Sequence, residues 1–565
     1  MPLRNNFSYV LAGLALALLV LNAFQALCTP LHGDEAYYWL FSKNLSWGYF
    51  DHPPMVAVWI WFTQIFPEGS HWEIRGVTVI TSALLPLLYW YVLPSGLRQN
   101  KQHALTWVML WVCVPVLHIY GFITTADVPL LLGIVLYTAA FEKFYESNRW
   151  SHGLLWAATA AFLIYAKYHG GLYILLSALM RPAIFKRYKT YLLVAAGLIL
   201  ITPHLYWQYG HQWVTFKYHL LERAGMGFSW NNIGDFWVGA LLILNPALIY
   251  VFIKALSAYR TWPETIRYQA RMVAAVFMFF ALYVLRGRVE AHWVAMASIP
   301  LLMVLQYEMH CSGGISRKRL FRVAGISVPI ILILRGVMFT SQANKVLHTI
   351  PDEKELYNTV KRLALGRAVV FENSYSNAAK FQFYTGKQSY CRSDAYYHPT
   401  QFNLWNQKPF LHFKPVLLVG NYPHPAYDTL ALHHNKPIRG VYIDSFPVLT
   451  SIIGTLEALP KSLNTYQKVA VKGTLQHQND KAWPWHSSLH TYQLQLQLRK
   501  GTDRHFFNLP FPYSTLPSGK NLPFSGTFAL PQEVSAGTYK VNLQVQVNNL
   551  PPIKISETQT VRVEE

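Results

Sequence analysis

His32-Gly33-Asp34-Glu35-Ala36-Tyr37-Tyr38-Trp39, followed by Trp47-Gly48-Tyr49-Phe50-Asp51-His52-Pro53-Pro54, decides how this chain is read. Both stretches come straight after an apolar run from about Tyr9 to Leu27, which has the length of a membrane span. Carboxylates so close to hydrocarbon are costly to keep charged, so a cation, a metal or a bound substrate is expected beside them. The pattern points to an enzyme site at a membrane surface.

The rest of the composition supports this. The chain has 565 residues, 52% of them hydrophobic and only 13% charged, against a charged share of about 25% in an ordinary soluble domain. Up to about residue 341, apolar runs alternate with short basic or polar loops. From about residue 342 onward polar residues dominate and no spanning run occurs. The net charge of +21 sits in the short loops: Arg98 and Lys101; Lys143 and Arg149; Arg181 to Lys189; Lys254 to Arg271; and Arg317 to Arg322. These loops fall on alternate sides of the hydrophobic runs, which is the positive-inside pattern. Anionic lipid headgroups of a bilayer are therefore the expected partner, and nucleic acid is not. Three of the four cysteines lie in or beside apolar runs and Cys391 stands alone, so no disulfide framework is expected.

The hydropathy pattern predicts a polytopic α-helical membrane protein with about 11 transmembrane helices. They fall near 8–28, 72–93, 104–120, 128–142, 153–166, 171–181, 190–206, 234–256, 272–286, 292–309 and 323–341. The first is expected to be a retained span, not a cleaved signal. With Arg4 inside, all the basic loops are cytoplasmic, while the Asp34 loop and the C-terminal part share the opposite, periplasmic face. Residues 34–66 are too polar to cross twice and too aromatic for a plain loop. Two juxtamembrane helices are expected there, the second running from Met55 to Phe66 after Pro53-Pro54. Residues 342–455 read as a small α/β region, with buried strands at 367–372 and 415–420. Residues 456–565 read as a β-sandwich, since apolar residues alternate strictly over 492–498 and 539–547.

Several residues in this layout have chemistry to offer. Asp34 and Asp127 each precede a helical run and would serve as helix N-caps. Capping does not account for Glu35, nor for Asp51 and His52 returning to the same surface. Asp34, Glu35 and Asp127 are therefore the catalytic candidates, sharing proton transfer and binding. Asp51 with His219 and Glu222 forms a candidate site for a divalent metal ion (Zn, Mn or Mg). Lys167, expected at an outer helix end with Arg223 and Arg288 on the same side, suits a phosphate, although snorkelling to lipid explains it too. The Glu290-Ala291-His292-Trp293 run near Arg288 lies on that side as well.

Taken together, GDEAYYWLFSKNLSWGYFDHPPM resembles the first external loop of GT-C glycosyltransferases, specifically the group of protein O-mannosyltransferases and lipid A aminoarabinose transferases. The resemblance covers residues 1 to about 340. It implies that Asp34 is the catalytic acidic residue after the first span and that Asp127 is the second-loop acidic residue. It also makes Lys167 a phosphate-binding lysine. Two positions depart from the group: His52 stands where a lysine often precedes the double proline, and Tyr37 where some members have arginine. His52 with Arg223 or Arg288 would then build the donor-phosphate site.

The implied activity is transfer of a sugar, with inversion, from a polyprenyl-phosphate-linked donor to a cell-envelope acceptor (lipid A, glycan or protein). The implied location is the periplasmic face of a bacterial inner membrane. The rival reading is a transporter or flippase of lipid-linked sugars, which requires ionisable groups deep within its spans.

Overall fold

The computed structural model describes residues 8–219, 229–312, 317–338, 352–393, 399–405, 411–420, 422–478, 482–501 and 503–564. The chain divides into two compact units, Met1–Glu353 and Lys354–Glu565.

The first unit is helical throughout. α1 (Ser8–Cys28) leads into two short helices, α2 (Gly33–Lys43) and α3 (Met55–Trp61), and then α4 (His71–Val92). α5 (Lys101–Val112) and α6 (Pro115–Ile119) form one apolar run interrupted before Pro115, whose missing N–H cannot continue the ladder. α7 (Asp127–Ser147), α8 (Trp150–Ala166), α9 (Tyr168–Met180), α10 (Tyr188–Gly210) and the single turn α11 (Val214–Lys217) follow. α12 (Trp230–Leu244), α13 (Pro246–Ala255), α14 (Glu264–Tyr283), α15 (Ser298–Tyr307) and α16 (Arg317–Val337) complete the unit.

Each of the eleven apolar segments expected from the sequence is mostly helical over its described residues, the last continuing beyond them after Met338. Among the described residues, however, six helices are long and apolar enough to cross a membrane, or seven if one bent pair counts as a span. Hydropathy measures composition and is blind to continuity. The α12–α13 run bends by 85° at Asn245, whose φ of 73° lies in the left-handed region and whose carboxamide accepts from Ala247 N at 3.0 Å. α9 and α15 have 13 and 10 residues, fewer than the roughly 20 a span needs.

α2 forms where expected, because its N-terminus is doubly closed. His32 Nδ1 accepts from Asp34 N at 3.3 Å, and Glu35 Oε2 accepts from His32 N at 2.9 Å, a reciprocal capping arrangement. α3 starts after the double proline as expected, but ends at Trp61 instead of reaching Phe66.

The second unit contains both kinds of structure read from its sequence. β1 (Ala368–Glu372), β2 (Ser389–Arg392), β3 (Val416–Gly420), β4 (Asp428–His433) and β5 (Lys436–Ile443) make a sheet in the order β2-β1-β3-β5-β4. β1 pairs in parallel with both β2 and β3, through the helix Tyr375–Thr385. Two further sheets face each other across a core that includes Leu494, Leu496, Tyr539, Leu543 and Val545. β6 (Ile452–Leu456) pairs with β7 (Lys468–His477), so this sandwich starts a few residues before the expected 456. β8 (Tyr492–Lys500) and β9 (Gly537–Val547) form the centre of the larger sheet.

Both halves of the second unit have their own buried core, so a fragment covering residues 354–565 is expected to fold when expressed alone. It should be soluble, unfold cooperatively in a circular-dichroism melt and have no sugar-transfer activity. A fragment that aggregates or melts without cooperativity would contradict this.

Candidate active site

α2 is locked onto the start of α4 by two buried carboxylates. Glu35 is fully buried and accepts from Arg75 Nε at 2.8 Å and Arg75 Nη2 at 2.5 Å. It also accepts from the backbone N–H groups of Thr124 and His32, both at 2.9 Å. Arg75 directs its other donors to the carbonyls of Ala26, Thr29 and Pro30, at 2.7, 2.8 and 2.9 Å. One helical turn along α2, Trp39 Nε1 and Lys43 Nζ reach Glu73 Oε1 at 2.9 and 2.7 Å. Glu35, expected among the catalytic groups, is therefore a lock: both oxygens are taken and no water reaches it. Burial alone would raise its pKa, but the Arg75 guanidinium and the hydrogen bonds outweigh burial and hold it below the ordinary carboxylate value.

Asp34, the preceding residue, faces the other way. Its side chain is 35% exposed and lies 3.7 Å from His32 Nδ1. It does not cap α2, since His32 does; it sits inside the first turn, where the helix dipole favours a negative charge. One turn further, the Tyr38 hydroxyl is 2.9 Å from His52 Nε2, and that nitrogen is 4.0 Å from Asp51 Oδ2. Burial first, and then the charges of Asp34, Asp51 and Asp127, push the Tyr38 pKa well above its ordinary value. Three carboxylates are thus within electrostatic range of one hydroxyl.

The loop carrying Asp51 and His52 is fixed from both sides. Tyr49 stacks on Phe41 with centroids 4.1 Å apart and donates to Phe41 O at 3.0 Å. His204 Nδ1 meets Trp47 O at 2.6 Å, and Thr215 Oγ1 donates to Tyr49 O at 3.1 Å. Gly48 passes so close to Trp207 that a Cβ would lie 2.4 Å from the indole. His219 Nε2 is 3.2 Å from the backbone carbonyl of Asp51. Glu222 and Arg223 lie outside the described residues. Among the described residues no three His, Cys, Asp or Glu side chains gather as a metal site. The backbone contact brings Asp51 and His219 of the expected metal set beside each other, and Glu222, the third member, is among the residues not described.

Asp127 and Lys167, read from the sequence as a catalytic acid and a phosphate binder, form one ion pair. Lys167 Nζ donates to both Asp127 oxygens at 2.8 Å, and both side chains are buried. Asp127 makes no cap bond at the head of α7; its carboxylate is committed to the lysine. Lys167 is the extended residue between α8 and α9. The turn there is tight, since a Cβ on Gly170 would lie 2.2 Å from Leu163 O. His169 and His292 are within electrostatic range of Asp127, and His169 packs on Trp293 with centroids 4.8 Å apart. Arg288 is turned outward, its side chain 64% exposed and 3.2 Å from Glu290, so it does not join Lys167.

The sequence reading missed Arg75, Glu73 and Tyr38. A signal for the first two exists: an acid and a base at the start of an apolar run need partners, and α2 supplies them.

Residues 51–207 match the dolichyl-phosphate-mannose-protein mannosyltransferase family. A lipid A galacturonosyltransferase, RgtD of Rhizobium johnstonii, is 22% identical over 259 residues, 44% of this chain and 53% of that protein. The chain thus spans about half the length of this curated relative. ArnT from Cupriavidus metallidurans in the apo state superposes with a TM-score of 0.54 over 77% of this chain and 97% of ArnT, at 12% identity. The same protein bound to undecaprenyl phosphate gives 0.57 over 78% and 98%, also at 12% identity. The chain shares the fold of ArnT. In this fold α2 and the 47–54 loop meet through Tyr38 and His52, α7 and the α8–α9 turn meet through Asp127 and Lys167, and Asp34, Asp51 and Asp127 are within electrostatic range of Tyr38.

Arg75→Met would leave Glu35 charged, buried and unpaired, at a cost of about 3–5 kcal/mol. A large drop in melting temperature of the detergent-purified protein is expected. Arg75→Lys should not restore it, because a lysine lacks the guanidinium fork that serves the carboxylate and three carbonyls together. The pH dependence has a definite sign. Glu35 has its folded pKa below the unfolded value of 4.5, so its stabilisation is complete above that pH and fades as acid protonates it. Glu35→Gln should lack this acid-dependent component of the melting curve.

Proposed function

We propose that this protein transfers a sugar from a polyprenyl-phosphate-linked donor to a hydroxyl acceptor of the cell envelope, with inversion at the anomeric carbon. The reading rests on one observation: the Tyr38–His52 contact and the buried Asp127–Lys167 pair lie within electrostatic range of one another with Asp34 and Asp51, and Asp34 is the most exposed of the three aspartates.

In this reaction Asp34 takes the proton of the acceptor hydroxyl as its oxygen attacks the anomeric carbon. The bond from that carbon to the donor phosphate oxygen breaks, and the polyprenyl phosphate leaves. Lys167 and His52 face the charge that develops on the phosphate, while Asp127 holds Lys167 in place. Tyr38 orients His52.

The site and the second unit are assigned to the periplasmic face of a bacterial inner membrane, with the basic loops in the cytoplasm. Among envelope acceptors, lipid A is favoured by the activity named for the Rhizobium relative.

A flippase reading is disfavoured by where the charges sit. In the six span-length helices, every Asp, Glu, Lys and Arg lies within about two turns of a helix end. A translocation path needs such groups near the middle.

Asp34→Asn is expected to purify and melt like the wild type, because His32 provides the cap, and to lose transfer by about 10²-fold or more. Mass spectrometry of envelope lipids from a deletion strain carrying each version measures this. An Asp34→Asn protein that keeps most of its activity would remove Asp34 as the base. A reporter fused after Glu565 should be periplasmic and one near Lys318 cytoplasmic. Both on one side would refute the assigned orientation.

A further inference from the structure

At the end of the bundle away from Asp127, about 20 Å along α7, a second polar site has no part in the reaction above. A cavity of about 400 Å³ is lined by Tyr145, Leu179, Arg181, Pro182, Glu264 and Arg271, among others. Arg181 is only 2% exposed. Its guanidinium lies between the rings of Tyr145 and Tyr268, at 4.4 and 4.2 Å, so both faces are covered and only its edge is left for polar contact. Nη1 donates to Glu142 Oε2 at 2.7 Å. Its buried Nε has no hydrogen-bond partner among the described residues, and the same is true of Nε on Arg267 and Arg271.

The charges at this cavity do not balance. Glu264 pairs with Arg271 at 2.5 Å and with Arg267 at 3.1 Å, and Glu142 pairs with Arg181. Three guanidinium groups therefore share two carboxylates. A buried, stacked arginine with an unused edge is a costly arrangement unless an anion completes it. Arginine edges match phosphate oxygens in shape as well as charge. The wall beside the arginines is apolar, and Leu179 is 56% exposed on the outer surface of the helical unit.

From this geometry we propose that the cavity binds a phosphate group, the headgroup of an anionic phospholipid. The phosphate lies against the guanidinium groups of Arg181 and Arg271, and the acyl chains lie along Leu179. Under the orientation assigned above, this lipid belongs to the cytoplasmic leaflet, opposite the proposed sugar-transfer site.

The test is thermal unfolding of the full-length protein in detergent, titrated with phosphatidylglycerol, phosphatidylcholine or inorganic phosphate. Phosphatidylglycerol should raise the melting temperature more than phosphatidylcholine does. Inorganic phosphate should move the phosphatidylglycerol midpoint to higher concentration without matching its full shift. Arg271→Gln, whose partner Glu264 is partly exposed, should fold and raise the phosphatidylglycerol midpoint about tenfold. The pair Glu142→Gln with Arg181→Gln should do the same without leaving a buried charge unpaired. Equal shifts from the two lipids, or an unchanged midpoint in Arg271→Gln, would overturn the proposal. A full shift from inorganic phosphate alone would overturn the lipid as the occupant.

Discussion

Much of the first unit depends on the pair of Glu35 and Arg75. A buried ion pair is by itself weak support for stability, because desolvation of both charges offsets their attraction. Its effect here is geometric. Through Arg75 the first turn of α4 is joined to the carbonyls of Ala26, Thr29 and Pro30 at the end of α1. Through Glu35 the same guanidinium is joined to α2 and to the backbone N–H of Thr124, just before α7. Four chain segments meet at one carboxylate. Since successive residues on a helix point about 100° apart, holding Glu35 inward directs Asp34 away from the lock and toward open space.

The sequence made the local parts of this legible and left the pairings obscure. A conspicuous acidic pair after a span-length apolar run located the site. Alternation in the C-terminal strands exposed the sandwich, because period-two burial leaves a direct trace. The partner of each charge could not be read in this way. Asp127 and Lys167 are 40 residues apart, and nothing local shows that one lysine takes both oxygens of one aspartate. Asp34 read as a cap because aspartate commonly caps helices, yet an imidazole two residues earlier does it. The breaks within the apolar runs were hidden for a related reason: Pro115 and Asn245 interrupt stretches whose composition alone looks continuous.

The polar groups of the helical unit are arranged by depth. Arg335, near the end of α16, donates to Asn22 Oδ1 at 3.0 Å and lies over Phe122 at 5.0 Å, with neutral partners in place of a carboxylate. Glu142 and Arg181 close the opposite ends of α7 and α9. These groups occupy helix ends, where backbone carbonyls, amides and nearby water reduce the cost of burial. The middle of the bundle is left to aromatic and aliphatic packing.

The Asp127–Lys167 pair looks at first like an obstacle to the proposed chemistry, because a lysine already held by a carboxylate is a poor phosphate ligand. The number of donors resolves this. An ammonium has three N–H groups, and the two oxygens of Asp127 accept two of them. The third is the one the proposed donor phosphate takes, so the pair stays closed when the substrate binds. Asp127 thereby limits the lysine to one remaining direction, and a lysine without that aspartate would be free to swing among its rotamers and would aim its charge less well.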